Sequence, residues 1–505
     1  MSLKKTAIWL TILAFIVKLS GFLRESIIAR EFGVSHLTDG YILAFSFISL
    51  AMDMISGGFN NVFLPLYVSH SKMNAKQTER NANGVMNFTV LLFLVITVIG
   101  YFFVPDIVPF IYGHMAPQTE KVAVAITQFF FLFMSLVALS GILDSYLQAH
   151  RVFVPSQFAK LVQPLTSALF ALVFSSYWGI NSLAYGFIIG TFIGVVIQFS
   201  YLYRTGFRWQ PTLHVDATFR KTFLVLLIPS LLNSVVSQTN LFVDKAFASS
   251  IPGAATYLNY ASLMTSVPHN IYATSIAAII FTLLSEQLDD PEKFQDIFYT
   301  GMQISLVTLL PITAGIYLVG QEAIAFLFQR GKFTAVDTHY TYMALVCFLP
   351  IIVTQGMQYI VSKAMYALGK TKIIFRVTVT TILLNALLDW ILIKPLGYKG
   401  LALSSSIVSF YYLIVTAIVI YKDFHPSQKV RLFRLIVKAL PPTIVMSVVL
   451  IAIKETLPLY HLYPLWQILI LVPLGVVFYV AGLYLFYREG FYQMMNFLKR
   501  KKRAV

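Results

Sequence analysis

The chain alternates long apolar runs with short polar breaks, and the length of the runs decides the fold class. A helix crossing a hydrocarbon core of about 30 Å needs about 20 mostly apolar residues, because each residue rises about 1.5 Å. Runs of that kind occupy 6–30, 37–68, 85–112, 122–149, 157–177, 181–203, 221–247, 256–285, 297–327, 338–367, 373–394, 398–421, 432–454 and 464–487. The pattern predicts an all-α polytopic membrane protein with about fourteen transmembrane helices. Barrel strands are excluded, because the runs are too long and lack an every-second-residue alternation.

Composition agrees. Only 11% of the 505 residues are charged and 58% are hydrophobic, against about 25% charged in a soluble domain. Lipid therefore covers most of the surface. The net charge of +16 sorts by loop rather than forming a nucleic-acid patch. With the N-terminus inside, Lys72, Lys76, Arg80, Arg204, Arg208, Arg431, Arg434 and the tail Lys499 to Arg503 share one side. Lys121, Arg330, Lys332, Lys394, Lys399 and Lys454 take the other, and the full count runs about four to one. That asymmetry predicts a multi-pass protein of the bacterial cytoplasmic membrane with both termini cytoplasmic. No nucleic-acid partner is expected. The run after Lys4-Lys5 lacks a small-residue cleavage site and is expected to stay as the first helix. A single cysteine, Cys347, excludes an intrachain disulfide framework, and the nine histidines are scattered.

A weak internal repeat organises the spans. Gly179-Ile-Asn-Ser-Leu183-Ala184 opens the sixth span and Gly397-Tyr-Lys-Gly-Leu401-Ala402 the twelfth, 218 residues later. Tyr146-Leu-Gln-Ala-His-Arg151 closes the fourth, and Tyr366-Ala-Leu-Gly-Lys370 closes the tenth. The reading is two six-helix lobes in parallel repeat, 1–210 and 211–425, then two extra helices and a basic tail in 426–505. Transporters built this way hold substrate between the repeats near the midplane and rock one half against the other.

Charges inside the apolar runs are the candidates for chemistry, since each costs at least ~2.5–3.5 kcal/mol at the bilayer centre. Lys18, Ser20-Gly21 and Arg24-Glu25 interrupt the first span. A bend at the small residues would turn Lys18 and Arg24 toward one cavity suited to an anionic group such as phosphate. The competing reading is an internal pair of Arg24 with Glu25 or Asp39. Asp53 is a further acid at depth on the second span. Asn385 and Asp389, four apart on one helical face, join Ser405 and Asp244 as a set of hard oxygen donors of the kind alkali cations prefer. Here the alternative is pairing of Asp244 with Lys245 and Asp389 with Lys394. No Walker motif occurs, and no loop clusters a nucleophile with a base and an orienting acid, so a transporter is expected rather than an enzyme. No cofactor is expected beyond a coupling ion.

Several stretches resemble the MurJ/MviN family of lipid II flippases, within the multidrug/oligosaccharidyl-lipid/polysaccharide exporter superfamily. They are Gly21-Phe-Leu-Arg-Glu-Ser-Ile-Ile-Ala-Arg-Glu-Phe-Gly33, Thr38-Asp39-Gly-Tyr-Ile-Leu-Ala-Phe45 and Phe63-Leu-Pro-Leu-Tyr67, with Leu327-Phe-Gln-Arg-Gly-Lys-Phe-Thr334 and Ser362-Lys-Ala-Met-Tyr-Ala-Leu-Gly-Lys-Thr-Lys372 further on. The resemblance implies two six-helix lobes around a cationic cavity, with the last two helices forming a groove for a polyprenyl tail. It implies an undecaprenyl-diphosphate-linked glycan as substrate, most often lipid II, moved by alternating access and coupled to a cation or the membrane potential. Cell-wall synthesis machinery is the implied partner. Lys18, Arg24, Glu25, Asp39 and Asp53 become the substrate-binding candidates, and Asp244, Asn385, Asp389, Ser405 and the Leu401 carbonyl a candidate sodium site. The chain departs from the family in two places. Arginines usual on the second and eighth helices are absent, where it reads Ala51-Met-Asp53 and Tyr260-Ala-Ser-Leu-Met264. Flipping of another polyprenyl-linked polysaccharide unit and cation-coupled multidrug efflux are therefore the alternatives.

Overall fold

The structure, a computed structural model describing residues 3–113, 115–272 and 278–492, is built almost wholly of helices, with no strand among the described residues. In chain order these are α1 (Leu3–Phe32), α2 (His36–Ser71), α3 (Ala75–Tyr112), α4 (Pro117–Leu132), α5 (Met134–Ala149), α6 (Val154–Trp178), α7 (Asn181–Arg204) and α8 (Ala217–Ala248). There follow α9 (Ala254–Tyr272), α10 (Ala278–Glu286), α11 (Pro291–Phe328), α12 (Ala335–Ala367), α13 (Thr371–Leu396), α14 (Tyr398–Tyr421), α15 (Pro426–Thr456) and α16 (Pro464–Phe486).

Eleven of these are long and apolar enough to cross a membrane, and the bent pair α4–α5 makes a twelfth if counted as one span. The fourteen expected from the sequence is thus not the number reached among the described residues. The first expected run is α1, and the described parts of the eighth are α9, of 19 residues, and α10. The fourth run breaks at Phe133, where α4 and α5 meet at 55°. The Phe133 N–H bonds back to Phe130 and Phe131, tightening the last turn of α4. The basic tail, Lys499 to Arg503, lies outside the described residues.

Helix starts follow their local chemistry. Asn74 accepts from the Gln77 N–H and Asp216 from those of Thr218 and Phe219, each satisfying N–H groups that a first helical turn leaves open. Thr334 and Asp337 form a reciprocal capping box before α12. The repeat also has a backbone counterpart. Gly179 ends α6 at φ 54°, ψ −140°, and Gly397 ends α13 at φ 58°, ψ −142°. Only glycine takes that conformation without strain.

The chain forms two compact units, Met1–Thr256 with Arg330–Phe333, and Tyr257–Gln329 with Thr334–Val505. Among the described residues, two of the first unit's apolar cores frame the site. Phe59, Phe63 and Tyr67 of α2 pack on Met86 of α3, on Leu143 and Tyr146 of α5, and on Phe219 and Phe223 of α8. Ile28 and Phe32 of α1 meet Tyr41 of α2, Phe130 of α4, Ala168 of α6 and Phe187 of α7. The Arg330–Phe333 segment joins this unit through the Lys332 N–H, which donates to the Arg30 carbonyl at 2.9 Å. Large apolar side chains such as Phe102, Phe110, Val98 and Leu485 are exposed instead of buried, the reverse of a water-facing surface and the expected lipid face.

Candidate functional site

The first unit encloses a polar cavity of about 470 Å³. Val17, Gly21 and Arg24 line it from α1, a spacing of four and three that places them on one helical face. Across it stand Phe45, Ser49, Met52, Asp53 and Ser56 of α2. Asp144 of α5, Lys160 and Gln163 of α6, and Thr191 and Gln198 of α7 close the remainder.

Arg24 is held from two sides. Its Nη2 donates to Glu25 Oε1 at 2.5 Å, and its guanidinium carbon lies 4.5 Å from the centroid of the Phe45 ring. The Arg24 side chain is 13% exposed and Glu25 is buried. A buried acid beside a flat, stacked guanidinium fixes the fork in orientation, and the fork is the geometry that phosphate oxygens match best. The alternatives weighed from sequence, internal pairing or cavity lining, thus both hold for Arg24.

Lys18 does not join it. The first helix runs unbroken from Leu3 to Phe32, with no interruption at Ser20-Gly21. Ser20 turns its hydroxyl back to the Val17 carbonyl at 2.7 Å. With helical phase preserved, Lys18 points about 100° away from Val17 and stands exposed, outside the cavity lining.

Asp39 is also elsewhere. It is buried, and its carboxylate accepts from the Gly253 N–H at 2.6 Å, the Thr256 N–H at 3.0 Å and the Thr256 hydroxyl at 2.7 Å. These groups belong to the start of α9, so Asp39 caps that helix from a distance of more than two hundred residues in sequence. Its negative charge also complements the positive end of the helix dipole. Asp53, by contrast, does line the cavity and accepts from Gln238 Nε2 at 2.7 Å.

Lys160 and Asp144 meet on the cavity wall. Lys160, near the start of α6, lines the cavity and bonds Asp144 Oδ2 at 2.7 Å. Gln148 Nε2 holds the other Asp144 oxygen at 3.0 Å. Asp144 is 3% exposed while the Lys160 side chain is 45% exposed, so the acid is sealed and the cation is the accessible partner. Two cations and two acids therefore face the same space, with Gln163 and Gln198 amides between them. The signal in the sequence was Asp144 itself, an acid in an apolar run that had to find a partner.

The ion-site candidates sort by unit. Asp244 lies on α8 in the first unit, where neighbouring Lys245 bonds the Ser46 hydroxyl. In the second unit Asn385 and Asp389 are buried on α13, 3.2 Å apart from Nδ2 to Oδ2. The Ser404 hydroxyl stands 3.3 Å from both the Asn385 carbonyl and Oδ1. Leu401 is buried one turn earlier on α14, and Ser405 is half-buried. At the position of the missing eighth-helix arginine, buried Tyr260 stacks on Phe328 with ring centroids 4.6 Å apart.

Comparison with known proteins places this geometry. The family model described as lipid II flippase MurJ matches residues 28–470. A protein of Buchnera aphidicola subsp. Acyrthosiphon pisum, named probable lipid II flippase MurJ, is 26% identical over 508 residues, covering 99% of this chain and 98% of its own length. One of that name from Rickettsia prowazekii is 26% identical over 82% of this chain and 83% of its own. Among solved structures, a lipid II flippase MurJ in an inward closed conformation superposes with a TM-score of 0.80 at 24% identity, covering 95% of this chain and 99% of that one. An inward-facing MATE-family multidrug transporter of the MOP superfamily reaches 0.67 at 13% identity, covering 83% and 94%. Both structural likenesses speak for the fold. This multi-pass membrane protein belongs to the MurJ family, a family of transporters.

Proposed function

We propose that the protein moves lipid II, or another undecaprenyl-diphosphate-linked glycan of the same chemistry, across the bacterial cytoplasmic membrane by alternating access. The observation that carries this reading is the cavity of the first unit, with the oriented Arg24 fork and the accessible Lys160 ammonium on its wall. A diphosphate entering it would draw Lys160 away from Asp144, which stays satisfied on one oxygen by Gln148. Arg24 needs no such move, since Glu25 and Phe45 already aim it. Asp53 and the Gln163 and Gln198 amides then offer acceptors and donors to sugar hydroxyls. With the N-terminus inside, substrate enters from the leaflet on the Lys- and Arg-rich side.

Coupling to sodium belongs to the same reading. Asn385, Asp389, the Ser404 hydroxyl and the Leu401 carbonyl would hold the ion, and their buried carboxylate, amide and hydroxyl oxygens suit a hard cation. The Ser404 hydroxyl joins Ser405 in that set, and Asp244 stays a separate candidate. The ion would supply positive charge that favours one conformation over the other. Sodium should raise the melting temperature of the purified protein and do nothing for Asp389→Ala; an equal shift in that variant removes the assignment.

Depleting the protein and quantifying lipid-linked precursors on the cytoplasmic face tests the transport reading directly. An undecaprenyl-linked intermediate should accumulate, and its absence would overturn the reading. A second reading, cation-coupled efflux of a cationic drug, draws support from Asp53 and Asp144 on the cavity wall. In that case Asp53→Asn, rather than Arg24→Ala, would abolish transport.

A further inference from the structure

The turn that joins α5 to α6 holds one residue in a conformation its side chain resists. Arg151 has φ 62°, the one positive φ outside glycine among the described residues. In that left-handed region a Cβ crowds the following carbonyl, so glycine is the usual occupant. The turn is otherwise an ordinary helix ending. The Val152 N–H reaches back to the Leu147 carbonyl at 2.9 Å, and the His150 N–H to that of Tyr146 at 3.2 Å.

The internal repeat contains the same turn without the strain. At the end of α12 the Lys370 N–H reaches back to the Met365 carbonyl at 2.8 Å, and Gly369 just before it has φ 71°. Arg151 and Gly369 stand 218 residues apart, the offset that also separates Gly179 from Gly397. The second turn therefore reads glycine then lysine, and the first reads arginine then valine. The order of the second turn would carry a cation free of strain, yet the first keeps its guanidinium at the strained position.

Neighbouring helices hold the turn there. His150 Nε2 lies 3.0 Å from the Tyr67 hydroxyl of α2 and 3.5 Å from Glu79 Oε1 of α3. The Tyr67 and Tyr146 hydroxyls donate to the two oxygens of that same carboxylate. The end of α2, the start of α3 and the end of α5 are thus tied together one residue before Arg151. Strained residues persist where their surroundings over-determine them, and they gather at ligand clamps and switch regions. Arg151 itself is exposed, with no side-chain hydrogen bond or ion pair among the described residues.

Its place on the chain decides what it meets. Asp144 is the last α5 residue on the cavity wall, and Ala159 and Lys160 are the first from α6. Arg151 lies on the turn beyond them, about 10 Å past Asp144 at the helical rise. The α2–α3 turn on the same side carries Lys72 and Lys76. An anion coming from this Lys- and Arg-rich side meets Arg151 before Lys160, and an arginine fork matches phosphate oxygens in pairs.

Building on the flippase reading, we propose that Arg151 captures the diphosphate headgroup at this end of the cavity and passes it on to Lys160 and Arg24. It acts on entry, so its charge sets the rate of association, whereas Arg24 inside the cavity sets how long the substrate stays.

Surface plasmon resonance of the full-length protein with a short-chain, water-soluble lipid II separates the two rates. Arg151→Gln removes the charge and keeps the strain. It should slow association about fivefold at low salt, the usual effect of one basic residue on an anionic partner, and leave dissociation unchanged. Arg151→Gly should bind as slowly while melting about 2 °C higher, because it releases the strain. Arg151→Lys should keep most of the association rate. Wild-type association in both Arg151→Gln and Arg151→Gly overturns the proposal and leaves the flippase reading standing, whereas failure of the wild type to bind lipid II overturns both. Melting of Arg151→Gly at or below the wild-type temperature removes the strain on which the assignment stands. Equal slowing toward a short-chain phosphatidylglycerol overturns it too, by making Arg151 a general contact for anionic lipid.

Discussion

The cavity of the first unit and the Asn385–Asp389 pair of the second treat buried polar groups in opposite ways. In the first, Arg24, Lys160, Asp53 and Asp144 face a cavity, and the Lys160 side chain of the Lys160–Asp144 pair is half-exposed. In the second, Asn385 and Asp389 are 2% and 0% exposed and sealed against Ser404. A charge with an accessible partner can exchange that partner for a ligand, because the cost of desolvation is already shared. A sealed carboxylate can trade only for something as small as an ion or a proton. The first arrangement suits a large anionic headgroup and the second suits coupling.

The sharpest way to break this comparison is Arg24→Ala. It removes the oriented fork and leaves Glu25 buried beside an apolar ring, so transport should be lost altogether. Complementation of a depleted strain, with membrane insertion checked by immunoblot, reads the effect. Arg24→Lys separates charge from shape: it restores the charge but not the fork, so partial function is expected. Normal growth with Arg24→Ala would take the residue out of the site.

Asp39→Ala tests the boundary of the cavity rather than its function. Three donors at the start of α9 lose their acceptor together. The expected cost is about 3 kcal/mol, the scale for hydrogen bonds to a charged group, read as a large fall in melting temperature. Asp39→Asn keeps one acceptor oxygen and should cost less. If Asp39→Ala abolished transport without lowering stability, Asp39 would belong with the substrate residues after all.

These cases show what was legible in the chain. The membrane class and the long helices were written in the apolar runs, because a bilayer tolerates no other pattern. Arg24 stood out because a cation in such a run demands a reason. Asp39 stood out equally, yet its partners Gly253 and Thr256 lie 214 and 217 residues away, a pairing that no local pattern encodes. Lys160 was hidden by position, near the start of α6, where a basic residue reads as a loop end. Its partner lies 16 residues back across the α5–α6 turn.

Smaller in expected effect is the Lys160–Asp144 pair. Lys160→Ala leaves Asp144 buried with Gln148 as its remaining side-chain donor, which should cost about 2 kcal/mol. Adding Asp144→Ala removes the stranded carboxylate and should recover most of that stability. Transport separates the two roles: the double variant should melt like the wild type yet carry substrate poorly, since the accessible cation is gone. Recovery of both stability and transport would make the pair a structural clasp.

The smallest effect is expected at Asp53. Its bond from Gln238 at 2.7 Å joins α2 to α8 within the first unit. Asp53 is exposed to the cavity, so its carboxylate keeps water when Gln238 is removed, and Gln238→Ala should cost only about 1 kcal/mol. The informative readout is selectivity. An acid on the wall of a diphosphate cavity repels the substrate's charge, so Asp53→Asn should hold transport level or raise it modestly if phosphate passes close by. If a sugar hydroxyl is what Asp53 accepts from, Asn keeps an acceptor and Ala does not, and Asp53→Ala alone should raise the substrate concentration needed for half-maximal transport. Loss of transport in both variants would instead favour the cation-efflux reading, in which the acid is the principal ligand and the contrast between the two units no longer holds.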